Sequence, residues 1–185
     1  STFTLPFIWR WKSWKNGWMK EKIYRSYLDI RSLDELKEVK KPLEIYFVEL
    51  ADPKDFQLNK FFYKNIGKNY QWIDRLFWTD LDWIDYISNK NLFTYTLKDQ
   101  ENIAGYFELL LNSNSNEAEI VYFGILEDYF GKKLGGYLLS EAIKQSFRKK
   151  STRVWVHTCS LDHKNALKNY LSRGMKIFKT ETLIR

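Results

Sequence analysis

Hydrophobic and polar positions along the chain change their period several times, and each change marks an element. Residues 23–30 read as a strand. Ser32 and Glu35 stand at capping-box spacing, which predicts a short helix over 32–40. Residues 43–50 read as a second strand. Asp52-Pro53 opens a helical stretch in which Phe56, Lys60 and Lys64 recur every four residues. A second helical stretch is expected over about 72–88, with Trp72, Leu76, Trp83 and Ile87 turned inward.

From residue 93 the pattern sharpens. Strands are expected at 93–97, 104–111 and 117–125, with a polar turn at 112–116, as an antiparallel meander. A helix over 134–149 carries two apolar rows, Leu134/Leu138/Ala142 and Leu139/Ile143/Phe147. Residues 153–158 form a strand with Val154, Val156 and Thr158 on one face. Asp162 is placed to cap a helix running to about Arg173, Gly174 ends it, and 175–183 returns as a strand. The order βββαβαβ is α+β, or mixed α/β, without a doubly wound repeat. Residues 1–22 stand apart as an aromatic and basic arm, and 23–185 are expected to form a single domain.

Composition narrows the class. With 185 residues the chain can bury a core without staples. Eight Trp, 12 Tyr and 13 Phe are too much apolar surface for a disordered chain. No apolar run is long enough to span a membrane. The single cysteine, Cys159, excludes an internal disulfide and suits a reducing compartment. No secretion signal is evident, so the cytoplasm is the expected location.

The net charge of +7 invites a nucleic-acid reading. By segment the charge is +5 over 1–25, −7 over 26–143 and +9 over 144–185. Trp9, Trp11, Trp14 and Trp18 interleave with basic residues in the arm, a pattern that can stack on single strands. Packing over the domain or a partner subunit is the plainer account.

Residues 117–136 carry the clearest chemistry. A strand leads to a short loop in which Gly131, Gly135 and Gly136 precede a helix, with Lys132 and Lys133 beside them. Backbone N–H groups at a helix start bind anions, and glycines let a phosphate approach closely. A plain glycine turn before an amphipathic helix would look the same at this level.

This region resembles the acetyl-CoA-binding core of the GNAT superfamily of N-acetyltransferases. The family's phosphate motif, Q/R-x-x-G-x-G/A, aligns with Phe130-Gly131-Lys132-Lys133-Leu134-Gly135, after Gly124-Ile125. Downstream, N-x-x-A-x-x-x-Y-x-x-x-G-F aligns with His163, Ala166, Tyr170, Gly174 and Met175. The likeness covers about 93–180. Three positions depart from it: Phe130 for Gln/Arg, Lys133 for the first glycine, and His163 for Asn. The lysine's Cβ is harmless if its φ is negative, as at a helix start.

The resemblance implies a mostly antiparallel twisted sheet flanked by helices. It implies acetyl transfer from acetyl-CoA to a primary amine of a small acceptor, with cofactor contacts at Phe123, Gly124, Ile125, Gly131, Lys132, Lys133, Leu134, Gly135, Gly136 and Asn165. An attacking amine must lose a proton, so a base is needed. Glu119, in Ala118-Glu119-Ile120-Val121, resembles the catalytic-glutamate strand of the histone-acetylating branch, with Glu108 as substitute. Alternation places Glu117, Glu119, Val121 and Phe123 on one face. Tyr170 matches the family tyrosine that protonates the departing thiolate. Tyr63, Trp72, Arg75, Trp78 and His157 are expected to face the acceptor, where aromatic walls and nearby Asp residues suit a cation. The stretch from His157 to His163 fits no zinc spacing, and no metal is expected. A homodimer stays open. A nucleic-acid module using the arm and a CoA-binding protein without catalysis are the other readings.

Overall fold

The computed structural model describes residues 21–184. The aromatic arm expected over 1–22 lies outside the described residues, except at its last two positions. The strands are β1 (Lys22–Ile30), β2 (Tyr46–Leu50), β3 (Leu92–Asp99), β4 (Asn102–Asn112), β5 (Glu117–Ile125), β6 (Arg153–Cys159) and β7 (Lys176–Ile184). The helices are α1 (Phe56–Gly67), α2 (Asp80–Ile87), α3 (Gly135–Arg148) and α4 (Ala166–Ser172).

All seven strands join one mixed sheet in the order β2-β3-β4-β5-β6-β1-β7. Only β5 and β6 run parallel, because α3 carries the chain across between them. The first strand is inserted between β6 and β7 and pairs antiparallel with both.

One side of the sheet is closed by α3. Leu138, Leu139, Ala142 and Ile143 pack into a core with Leu28, Leu97, Phe107, Leu109, Ile120 and Val154. These are the two apolar rows that the helical period predicts. On the other side α1 lays Phe62 flat on Tyr106, with ring centroids 4.6 Å apart. Val154, Val156 and Thr158 are all buried on one face of β6. Gly174 ends α4 at φ 102°, where a Cβ would also meet the Glu35 carbonyl oxygen 2.3 Å away.

Three expected helices are shorter than their patterns. Over 32–40 only a 3₁₀ turn forms, at Leu33–Glu35. Beyond it Lys37 N–H bonds to the Arg173 carbonyl at 2.9 Å and Val39 N–H to the Ser140 hydroxyl at 2.9 Å. These tertiary bonds replace helical ones. The helix expected from Trp72 begins only at Asp80, because Thr79 and Asp82 form a reciprocal capping box. Residues 72–78 are left as turns. Asp162 does not cap α4. Its carboxylate accepts from the Thr158 hydroxyl at 2.6 Å and Cys159 N–H at 2.9 Å, and the helix starts at Ala166.

Candidate active site

The ladder between β5 and β6 is short. Glu117, Ala118 and Glu119 pair with Arg153, Val154 and Trp155, and the strands then part. A cavity of about 1110 Å³ fills the gap. Its walls come from both sides of the sheet. Phe123, Leu134, Ala166 and Tyr170 line it on the α3 side, and Tyr122, Trp72, Asp74, Cys159 and His157 on the other. The cavity therefore passes through the sheet.

A bulge in β5 shapes this opening. Ile120 pairs with Leu109 but Tyr122 pairs with Glu108, so Val121 is an extra residue. The bulge overturns the simple alternation expected for this strand. Glu119 shares a face with Tyr122, while Phe123 turns to the core beside Tyr170, 6.4 Å between ring centroids.

At one end the cavity meets the glycine loop. Gly131, Lys133, Leu134, Gly135 and Gly136 line it, with Asn165, while Gly124 and Ile125 form the strand wall. The start of α3 has no side-chain cap, so its first N–H groups are open to an anion. Lys133 stands at φ 62° and Gly131 at 77°. The condition under which the Lys133 Cβ would be harmless, a negative φ, is not met: the loop makes a left-handed turn there, as the glycine of the motif would. Lys132 is off the cavity wall, its Nζ 5.9 Å from the Tyr129 ring centroid.

The aromatic end is organised around a buried ion pair. Arg75 Nη2 lies 3.2 Å from Glu108 Oε1, and the two side chains are 5% and 0% exposed. Glu108 also accepts from Asn59 Nδ2 at 2.7 Å and the Tyr86 hydroxyl at 2.5 Å. A carboxylate so enclosed is structural, which removes Glu108 as a substitute base. The Arg75 guanidinium lies 4.0 Å from the Tyr86 ring, 4.4 Å from Tyr122 and 4.7 Å from Trp78. The aromatic cage expected to face an acceptor cation already holds this one. Trp72, Arg75, Trp78 and His157 do line the cavity. Tyr63 does not: it is 1% exposed, and its hydroxyl accepts from Arg75 N–H at 2.9 Å.

Protonation follows burial. Desolvation pushes the Glu119 carboxyl up, although Arg75 opposes it; Glu119 does not itself line the cavity, whereas the next residues, Ile120, Val121 and Tyr122, do. Desolvation holds His157 below its ordinary range, helped by the Arg25 charge. It also pushes Tyr170 well above the usual phenol value. Tyr170 lines the cavity, and its hydroxyl has no hydrogen-bond partner among the described residues. Burial raises the Cys159 thiol, so this cysteine is no nucleophile at neutral pH. Among the described residues no group of three or more His, Cys, Asp or Glu is placed to hold a metal. No helix there is long and apolar enough to cross a membrane.

Sequence reasoning missed several wall residues. Asn169 donates to the Gly135 carbonyl at 3.1 Å, tying α4 to the loop. Its place one position before Tyr170 was the available clue. Arg25 and Ile23 also line the cavity, and no local pattern foretells it, since only the insertion of β1 brings them there.

The chain thus folds as a mixed α/β sheet that splits beside a glycine loop at a helix start. Residues 54–175 match the model of the acetyltransferase (GNAT) family, and the chain belongs to that family. Its sheet resembles a GCN5-related N-acetyltransferase from Sphaerobacter thermophilus, with a TM-score of 0.64 at 14% identity over 95% of this chain and 54% of that one. A GCN5-related N-acetyltransferase-like protein from Streptococcus suis gives 0.62 at 14% identity, over 98% and 69%. An aminoglycoside acetyltransferase from an uncultured soil metagenomic sample gives 0.57 at 16% identity, over 70% and 87%. The chain thus spans about half the length of the Sphaerobacter protein. No curated protein matches it by sequence.

Proposed function

We propose that the protein transfers an acetyl group from acetyl-CoA directly to a primary amine of a small acceptor. The observation that carries this reading is the cavity that crosses the sheet between β5 and β6. Donor and acceptor can meet in it from opposite sides, with no covalent stage on the protein.

The residues present suit the cofactor. The left-handed loop at 131–133, the uncapped start of α3 and Lys133 would hold its phosphates. Acetyl-CoA supplies an activated thioester carbonyl. A backbone N–H near Gly124-Ile125 would polarise that carbonyl. Glu119, with its affinity for protons raised by burial, takes the proton from the acceptor ammonium through a bridging water. Tyr170 remains protonated at neutral pH and gives its proton to the departing sulfur.

Isothermal titration with acetyl-CoA tests the reading. Stoichiometric binding is expected, and release of CoA thiol should follow addition of an amine. No binding at millimolar acetyl-CoA would overturn it.

A further inference from the structure

Arg25 comes from β1, the strand inserted between β6 and β7. It stands opposite Cys159 on one ladder and Glu181 on the other, and it lines the cavity. For a partly buried charge it is poorly satisfied. Its Nε is buried and has no hydrogen-bond partner among the described residues. Nη1 makes one long contact, 3.5 Å to the Tyr27 hydroxyl. The cross-strand acid Glu181 is bridged to Lys179 at 2.8 Å and acts on Arg25 through its charge, without a hydrogen bond between the two. Buried donors in native proteins are nearly always paired, so a cavity-wall guanidinium with an unpaired Nε and a single long contact has donor capacity left for a ligand acceptor.

The neighbouring wall carries the opposite charge. Asp74 lines the same cavity, on the same side of the sheet, and accepts one bond, from the Tyr122 hydroxyl at 3.3 Å. Arg25, Asp74 and His157 line the same cavity, and the two charges act on His157 in opposite senses. Apolar surface from Ile23, Leu161 and Leu183 lies in the same cavity.

We propose that the acceptor carries a carboxylate as well as its amine, that Arg25 binds the carboxylate, and that Asp74 holds the ammonium. This rests on the acyl-transfer reading above. The acceptor class is then amino-acid-like, with an apolar portion against Ile23 and Leu183. The guanidinium fork suits a carboxylate in a way that an ammonium does not.

Matched acceptors that differ only in the carboxylate test it: phenylalanine against phenethylamine, and lysine against cadaverine, each with acetyl-CoA. The member with the carboxylate should be used with a kcat/KM higher by about 10- to 100-fold, the range of one hydrogen bond to a charged group. Arg25→Gln should abolish that ratio through KM, the member with the carboxylate losing far more than the plain amine, and Arg25→Lys should restore part of it. Equal use of both members by the native protein, or an equal loss for both in Arg25→Gln, would overturn the proposal. Where turnover is too slow to follow, titration of the same pairs into protein saturated with CoA reads the same contrast, and equal binding counts against it. Acetyl-CoA binding without any carboxylate contrast overturns this proposal alone. Failure to bind acetyl-CoA overturns the acyl-transfer reading and this proposal with it.

Discussion

Arg75 meets Glu108 at two points inside the protein, Nη2 to Oε1 at 3.2 Å and Nη1 to Oε2 at 3.4 Å. The pair ties the irregular segment 72–78 to β4, and the rings of Tyr86, Tyr122 and Trp78 close around the guanidinium. Removing one partner of such a pair leaves an uncompensated charge, which costs about 3–5 kcal/mol. Arg75→Ala should lose that much stability in urea denaturation. Arg75→Lys should recover little, because a point charge cannot replace the fork. A loss below about 1 kcal/mol in Arg75→Ala would show that water reaches Glu108.

Glu119 sets function against stability. Burial raises its carboxyl above the ordinary 4.5. Between about 4.5 and the folded-state value, the folded protein binds more protons than the unfolded chain, so this group's contribution to stability falls as pH rises through that window. Above the window the penalty is constant. Glu119→Gln should therefore melt at a higher Tm than the native protein at pH 7, and the difference should vanish near pH 4. The same variant should turn over slowly while acetyl-CoA binding survives. A lower Tm than native at pH 7 would contradict the desolvation account.

The core and the glycine loop were legible in the sequence because both follow from local patterns. Leu138, Leu139, Ala142 and Ile143 keep a strict helical period, and all four are fully buried. The glycines at 131, 135 and 136 announce the loop for the same reason. What escaped depends on partners far along the chain. The helix from Trp72 was overextended because its turns are held by Arg75 reaching Glu108 on another strand, 33 residues away. The bulge at Val121 is set by register against β4, and it moved Phe123 to the face opposite Glu119. Arg25 joined the cavity only because β1 lies beside β6, a long-range pairing without a local signature.

Lys133 shows where a local rule bends. A left-handed φ of 62° disfavours any residue with a Cβ, and the lysine keeps its charge at the phosphate loop despite it. Lys133→Gly and Lys133→Ala both remove the charge, but only the first relieves the strain. The glycine variant should be more stable than the alanine variant by about 1 kcal/mol in thermal denaturation. Both should bind acetyl-CoA more weakly than the native protein, and to the same extent. Unchanged affinity in both would take Lys133 out of cofactor binding.

Tyr170 is the side chain whose chemistry is least ambiguous in direction. It is buried, its ring lies near Phe123, and it lines the cavity with no partner for its hydroxyl among the described residues. Burial, with Asp162 nearby, keeps the phenol protonated across the working pH range. Such a group cannot act as a base at neutral pH; its proton is in place for a leaving sulfur, though the same burial makes it a weaker acid. Tyr170→Phe keeps the ring and removes only the donor, so packing should hold and Tm should stay near the native value. Loss of a positioned general acid lowers rates by roughly 10²- to 10⁴-fold. Single-turnover release of CoA thiol should slow by at least the lower figure, with acetyl-CoA affinity unchanged in titration. The slowing should be smaller for an acyl donor whose leaving thiol is more acidic, because that thiolate needs less help. A native rate with acetyl-CoA would assign the proton to another group or to water. A slow rate that does not respond to the leaving thiol would instead mark Tyr170 as a residue that positions the cofactor.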